Sequence, residues 1–162
     1  MMQPETKKIQ AKKTIGFSIK TTMADDQTVK IWQQLMPRLK EVKNAVSADL
    51  FSLQVYNGES FEEFTPTTEF TKYALVEVKN YDFIPEGFEK FEIPAGDYAV
   101  FVHKGTSADF YKTSQYIYGE WLPKSKYVLD EKPHFAVMGD KYLGHENPET
   151  EEEVWVPIIA KN

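Results

Sequence analysis

The order of strand-like and helix-like segments constrains the fold of this chain more than any other feature. Apolar and polar side chains alternate in a first strand-like segment, an apolar stripe at helical spacing follows, and two more strand-like segments come next. The same order then occurs a second time. The first set occupies residues 13–22, 29–42, 50–56 and 73–78, and the second set occupies residues 98–104, 109–122, 134–142 and 154–159. Two sets of one strand, one helix and two strands predict a duplicated α+β fold.

The two helix-like segments carry signals for their ends. Asp25 and Asp26 precede the first segment and predict an N-cap with acidic charge in the first turn. Pro37 interrupts the apolar stripe of that segment and predicts a helix that is kinked or split there. Pro123 stops the second helix-like segment.

Each set predicts a helix that covers a small antiparallel sheet, and two such units would leave a groove near a pseudo-twofold axis. The predicted fold class is therefore α+β, with duplicated strand-helix-strand-strand modules and an antiparallel sheet with two main helices around a ligand groove. The length predicts one domain over residues 13–162, with halves at about residues 13–80 and 93–160.

Three segments outside these sets are predicted to be irregular. Residues 1–12 are predicted to be a flexible N-terminal tail whose lysines are solvated. Residues 57–71 are polar, contain Gly58 and Pro66, and predict a loop. Residues 80–94 contain two further prolines and a glycine and predict an irregular crossover between the halves.

Composition excludes several classes of protein. The 162 residues contain no cysteine, so disulfides, thiolate zinc sites and thiol nucleophiles are excluded. The net charge of -6 disfavours direct binding to nucleic acid, which needs basic residues to neutralise phosphates. No apolar run is long enough to span a membrane and no secretory signal opens the chain, so a cytoplasmic protein is expected.

No motif assigns a metal, a cofactor or a catalytic residue. His103, His134 and His145 form no i, i+4 pair on a helix that could bind a metal. Gly139 and Gly144 have the spacing of a phosphate-binding loop, but a histidine stands where that loop needs lysine. No serine lies in the strained elbow of an acyl-transfer enzyme. We therefore expect no metal, no cofactor and no assigned catalytic residue.

Glu153 is the candidate for chemistry at a ligand site. It directly precedes the last predicted strand, and strand alternation places it on the same face as Trp155. A carboxylate beside an aromatic wall would bind a lipophilic cation through its charge and through cation–π attraction. The alternative is an ordinary glutamate at a strand edge that faces solvent.

Three further aromatic residues are ambiguous in the same way. Aromatic residues make up 14% of the chain, which is more ring surface than a small core needs, so some rings are candidates to line a cleft. Tyr56 and Tyr73 fall at strand ends, where a ring packs and its hydroxyl reaches water. Trp32 lies on the apolar stripe of the first helix. For each of these rings, core packing is the alternative to a place in a ligand wall.

Four blocks of sequence, in this order, resemble a known family. They are Ile31-Trp32 with Met36-Pro37-Arg38, then residues 93–105, 118–125 and 153–158. Residues 93–105, IPAGDYAVFVHKG, resemble the "iPaGxYAvFxxkG" block of GyrI-like proteins, which are also called the effector-binding domains of AraC-type and multidrug-sensing regulators. The resemblance extends over nearly the whole chain from about Lys13 onward.

The resemblance implies a site and its ligands. It implies that Glu153 meets a cationic drug with Trp155 as its neighbour. Relatives often carry a glutamate and a tyrosine in the penultimate strand, where this chain has Ala136 and Met138. The resemblance therefore implies a more apolar pocket wall that includes Met138.

The implied function is that of a stand-alone protein that binds hydrophobic, cationic aromatic molecules as an effector or drug sensor, or sequesters them. The short segments outside the predicted strands leave no room for a DNA-binding module, so a separate regulator or enzyme is the implied partner. The alternative is a hydrolase of strained electrophilic toxins that uses the same glutamate as its base. An acidic inhibitor of a DNA-binding enzyme is a third interpretation, which the modest charge of -6 does not favour.

Overall fold

The computed structural model describes residues 3–56 and 64–162. The chain divides into two compact units, which we call the first unit (Ala11–Pro94) and the second unit (Met1–Gln10 with Ala95–Asn162). The strands are β1 (Glu5–Ile9), β2 (Lys12–Thr21), β3 (Leu50–Val55), β4 (Phe70–Glu77), β5 (Glu89–Ile93), β6 (Gly96–Lys104), β7 (Tyr127–Leu129), β8 (His134–Met138) and β9 (Glu151–Ala160). The α-helices are α1 (Thr28–Leu35), α2 (Phe110–Tyr116) and α3 (Leu122–Lys124).

In the first unit, antiparallel strands lie in the order β5-β2-β4-β3. Helix α1 covers one face of this sheet, because its buried residues Ile31 and Leu35 pack with inward residues such as Phe17 and Val76. The α-helix ends at Leu35 and a 3-10 helix, Met36–Glu41, follows. The predicted split at Pro37 is therefore confirmed.

The start of α1 differs from the prediction. Its N-cap is Gln27, which makes no side-chain cap hydrogen bond. Asp26 still supports the helix start, because its Oδ1 accepts a hydrogen bond of 2.9 Å from the backbone N–H of Thr28. The prediction of an acidic N-cap with acidic charge in the first turn is therefore wrong, because both aspartates precede the N-cap and the first turn contains no acidic residue.

In the second unit, antiparallel strands lie in the order β1-β6-β9-β8, and β7 pairs with the end of β9. Helix α2 runs into a π-helical turn, Ile117–Trp121, and then into α3. Ile117 packs with Phe101, Val154 and Val156 in the core of this unit. The helix complex therefore covers the face of the sheet on which these residues lie.

The fold class is confirmed as α+β with two main helices, and the strand pairs described within either unit are antiparallel. Two segments predicted to be irregular contain strands. Residues 5–9 form β1 inside the predicted tail, and residues 89–93 form β5 inside the predicted crossover. Both strands lie at the edge of a unit's order. β1 is almost wholly exposed and shows no alternation, whereas β5 alternates Phe91 and the buried Ile93 with charged residues in a segment whose prolines and glycine predicted irregular chain. Residues 57–63, part of the predicted loop, lie outside the described residues.

The pairing register repeats between the units. In each unit, one row of paired residues crosses all four strands. The row begins with a glutamate on the outer strand, continues through one residue of the second strand and a large apolar residue of the third, and ends with a phenylalanine on the fourth. The rows are Glu89, Gly16, Leu75 and Phe51 in the first unit, and Glu5, Val100, Trp155 and Phe135 in the second. This register supports the predicted duplication, which residue identity alone scarcely shows.

Candidate ligand-binding site

Glu153 and Trp155 lie together on the sheet of the second unit. They pair with Val102 and Val100 of β6, on the face opposite Val154 and the helix complex. The Trp155 Nε1–H donates a hydrogen bond of 3.1 Å to Glu153 Oε1. Trp155 is buried and Glu153 is half-buried, so the carboxylate lies at the border between the rings and water.

Two more rings extend this aromatic surface. Phe135 stacks on Trp155 with ring centroids 5.2 Å apart and an interplanar angle of 15°. Tyr98 meets Trp155 edge-on at 5.8 Å and Phe135 edge-on at 5.4 Å. We call Tyr98, Phe135 and Trp155 the three-ring wall. Aromatic pairs of this geometry stabilise one another beyond the area they bury.

Two lysines lie against the three-ring wall. The Nζ atom of Lys7 is 5.6 Å from the centroid of the Trp155 ring, and that of Lys132 is 5.9 Å from the centroid of the Tyr98 ring. Lys132 also forms an ion pair with Asp130. Gly96 leaves room for Lys132, because a Cβ at this position, where φ is 154°, would overlap its Nζ.

The hydroxyl of Tyr98 is buried and has no hydrogen-bond partner among the described residues. Burial raises the pKa of the Tyr98 hydroxyl, and the negative charge of Asp130 raises that pKa further. The group therefore stays protonated at neutral pH. A buried hydroxyl without a partner carries a free-energy penalty.

Tyr56 and Tyr73 lie in the first unit, in two different ring clusters. The Tyr73 ring is 4.6 Å from that of Phe91, and burial followed by the charge of Glu89 raises its pKa. The Tyr56 ring is 5.1 Å from that of Phe64. Burial raises the pKa of the Tyr56 hydroxyl, and a hydrogen bond to Gln54 lowers it by a smaller amount. Each hydroxyl is therefore neutral at physiological pH.

Trp32 and Met138, which the sequence also predicts as ligand residues, lie in different local environments. Trp32 packs against the core of the first unit, as its place on the apolar stripe allows. Met138 follows Val137, which pairs with Glu153, so strand alternation places Met138 on the other face of the sheet. Adjacent residues of one strand point to opposite faces of the sheet, so Val137 and Met138 cannot share a face.

The buried histidines are held by local hydrogen bonds. His103 Nδ1 lies 2.6 Å from Thr113 Oγ1, and its Nε2 lies 3.0 Å from the Thr106 carbonyl oxygen. His134 Nδ1 lies 3.0 Å from the Tyr118 hydroxyl, and burial lowers the pKa of His134 to about 4. Over residues 3–56 and 64–162, no group of three His, Asp or Glu side chains is placed to bind a metal.

Sequence reasoning missed three residues of this surface. Tyr98 stands in the block that resembles the family, but nothing in the pattern indicated an unpartnered hydroxyl. Phe135 stands in a predicted strand, and pairing with Trp155 follows only from the register. Lys7 stands in a segment that was predicted to be a tail, and β1 brings it to the sheet.

Comparisons with known proteins identify the family. The family model described as the GyrI-like small molecule binding domain matches residues 2–159, and the chain belongs to this family. The transcriptional regulator BrlR of Pseudomonas aeruginosa is 26% identical over 144 residues, which are 89% of this chain and 51% of BrlR. A DNA gyrase inhibitor of Erwinia billingiae is 33% identical over 109 residues, 64% of this chain and 66% of the inhibitor. The chain thus spans about half the length of the first relative.

Solved structures share the fold. The structure of SAV2435 bound to tetraphenylphosphonium superposes with a TM-score of 0.71 at 12% identity, covering 98% of this chain and 94% of the other. A hydrolase from Listeria innocua superposes with a TM-score of 0.59 at 11% identity, covering 97% and 92%. Among the described residues, no helix has the length and apolar character needed to cross a membrane.

Proposed function

We propose that this small-molecule-binding domain takes lipophilic aromatic cations, with Glu153 as the counter-charge and the three-ring wall as the apolar surface. The observation that carries the proposal is the hydrogen bond from Trp155 Nε1–H to Glu153 Oε1. It fixes a carboxylate at the rim of a buried aromatic surface.

The electrostatics of Glu153 favour a cation over a neutral ligand. An ionised carboxylate accepts about four hydrogen bonds, and the indole N–H supplies one of them. Its half-buried position removes part of its hydration, which costs free energy unless charge or donors replace the water. A cation with aromatic groups supplies the charge, while its rings lie beside the indole of Trp155.

The relatives support a role in sensing or sequestering such molecules. BrlR is named as a transcriptional regulator, and SAV2435 was solved with a lipophilic aromatic cation. We infer that this chain acts as the ligand-binding part of a response to such compounds, together with a regulator or an enzyme. Tyr56 and Tyr73 remain ring surfaces that the sequence predicts for ligand contact in the first unit.

Calorimetric titration of the wild-type protein and of Glu153→Gln tests this proposal. Tetraphenylphosphonium serves as the cation and triphenylphosphine oxide as a neutral aromatic probe. We expect Glu153→Gln to lose about 1–3 kcal/mol of cation binding, which is about 5- to 150-fold, since the shape is kept and the charge is removed. The affinity for the neutral probe should change little.

Glu152→Gln is the matched control, because it removes the same charge from the adjacent residue, which alternation places on the other face. We expect the cation affinity of Glu152→Gln to stay close to that of the wild-type protein. Equal cation affinity of Glu153→Gln and the wild-type protein would contradict the proposal.

The hydrolase alternative rests on the fold shared with the Listeria innocua hydrolase and on the ability of a carboxylate to activate water. Steady-state assays with a strained electrophilic substrate separate the two functions. Loss of turnover in Glu153→Gln with unchanged ligand affinity would favour the hydrolase. Absence of turnover in the wild-type protein would favour binding alone.

A further inference from the structure

We propose that Lys7 is an internal competitor for the cation site and sets the preference of that site between charged and neutral ligands. In the free protein its ammonium group lies over Trp155, where a ligand cation would otherwise bind. The inference rests on the proposed function and adds a specificity-determining residue to it.

The register of β1 places Lys7 on the same face as the three-ring wall. Lys7 pairs with Tyr98, and Glu5 pairs with Val100, which in turn pairs with Trp155. The Lys7 Nζ atom lies 5.6 Å from the Trp155 ring centroid, within the range of a cation–π interaction. Glu5 lies 3.6 Å from the same ammonium group and steadies it there.

Phe135 and Lys7 approach Trp155 from opposite sides. Phe135 belongs to β8 and Lys7 to β1, and these strands lie on opposite sides of β9 in the order β1-β6-β9-β8. Phe135 is stacked on the indole at an interplanar angle of 15°. An incoming aromatic cation therefore meets a ring that already has a stacked neighbour and an ammonium group.

Two features make Lys7 displaceable. Its side chain is 42% exposed, so the ammonium group can return to water without losing a buried partner. Glu5 is exposed as well and can follow it, since its side chain is 78% accessible. A ligand cation must displace Lys7 from its cation–π contact with Trp155 and is also repelled by the charge of Lys7. A neutral ligand must displace Lys7 from the same contact but is not repelled.

Lys8 provides a matched control on the same strand. It differs from Lys7 by one position, so alternation turns it to the other face of the sheet, where it lies 3.8 Å from Asp97. Lys7→Met and Lys8→Met change the net charge of the protein equally and keep a long side chain. A difference between these variants therefore reports the position of the charge and not its amount.

Titration of tetraphenylphosphonium and triphenylphosphine oxide into the full chain tests the inference. We expect Lys7→Met to raise the ratio of cation affinity to neutral affinity about threefold to tenfold over Lys8→Met. Lys7→Arg retains the positive charge and should keep the wild-type ratio. Chemical shifts of the Lys7 Hε protons provide a second measurement, because the ring current of Trp155 should shift them upfield until the cation displaces them.

The outcomes separate this inference from the proposed function. Equal ratios in Lys7→Met and Lys8→Met, with tetraphenylphosphonium still bound, would overturn the role of Lys7 and leave the cation site standing. Binding of the cation to Lys7→Met alone would support both. Absence of cation binding in the wild-type protein and in each variant would overturn the proposed function and the inference with it.

Discussion

The two units share one pattern of strand pairing but differ in the side chains that occupy it. Trp155 and Glu153 of the second unit stand where the first unit has Leu75 and Tyr73, each paired to the equivalent strand. Lys7 stands where the first unit has Phe91. Equivalent backbone positions thus carry aromatic and charged side chains in one unit and mainly apolar ones in the other. The pattern of strand pairing alone does not reveal which side chains occupy it.

Gly16 offers the largest test of this comparison. It occupies the register position that Val100 occupies in the second unit, but a Cβ on Gly16 would overlap the carbonyl oxygen of Ala74. We expect Gly16→Ala to lower the free energy of unfolding by about 3 kcal/mol or more, because the clash is with backbone and forces the strands apart. Denaturant unfolding measures the loss.

Gly119→Ala is the control for that substitution. A Cβ on Gly119 would meet nothing within 4 Å, and alanine is the better residue in a helix. We expect this variant to be as stable as the wild-type protein or more stable by up to about 1 kcal/mol. If Gly16→Ala and Gly119→Ala were equally stable, the first unit would accept a side chain at position 16, as the second unit does at Val100.

His134 gives the second unit a pH dependence that its counterpart Leu50 cannot have. Burial lowers the pKa of His134 from 6.5 to about 4, so the unfolded state binds more protons between these values. The contribution of His134 to the free energy of unfolding is therefore fully present above pH 6.5. This contribution, up to about 3 kcal/mol, is lost as the pH falls toward 4.

Unfolding curves measured between pH 4 and 7 check the contribution of His134. We expect His134→Leu to flatten the dependence in this range, because it removes the group that the fold keeps neutral. His145→Gln, which replaces a histidine whose side chain is 69% exposed, is the control variant. A wild-type slope retained in His134→Leu would assign the dependence to other groups.

The smallest predicted effect concerns Tyr98 and its counterpart Thr14. The Thr14 hydroxyl donates a hydrogen bond of 2.5 Å to the Phe91 carbonyl oxygen, whereas the Tyr98 hydroxyl has no partner in the part of the chain that the structure describes. We expect Tyr98→Phe to raise the free energy of unfolding by about 1 kcal/mol, because an unsatisfied buried group is removed.

Tyr118→Phe makes the same chemical change where the hydroxyl lies 3.0 Å from His134 Nδ1. We expect this variant to lose about 1 kcal/mol, opposite in sign to Tyr98→Phe, when both are compared by thermal unfolding. Destabilisation of Tyr98→Phe by a similar amount would show that its hydroxyl is satisfied in solution.

Local pattern was a good guide to most of the fold. The apolar stripe predicted α1 and Pro37 predicted its end, because both depend on neighbours along the chain. Glu153 and Trp155 were predicted to share a face for the same reason, since two positions along a strand decide it. The helix around Ile117 was predicted as well, but its π-helical turn was not.

The pairings of β1 and β5 with distant strands were not predicted from the sequence. β1 buries almost nothing and carries many charges, so its own residues show no strand pattern. β5 alternates Phe91 and Ile93 with charged residues, but the prolines and the glycine of its segment predicted irregular chain. The partner strands β6 and β2 supply the hydrogen bonds that make them strands.

The sequence by itself determined the α+β class, the duplicated order of elements and the placement of a carboxylate beside an indole, because each follows from periodicity within a few residues. Only the tertiary structure decided that Phe135 stacks on Trp155, that Lys7 lies over the indole and that Met138 faces the other way. These facts depend on register between strands far apart in the chain. A shift of one residue in that register would turn each of these side chains to the opposite face of the sheet.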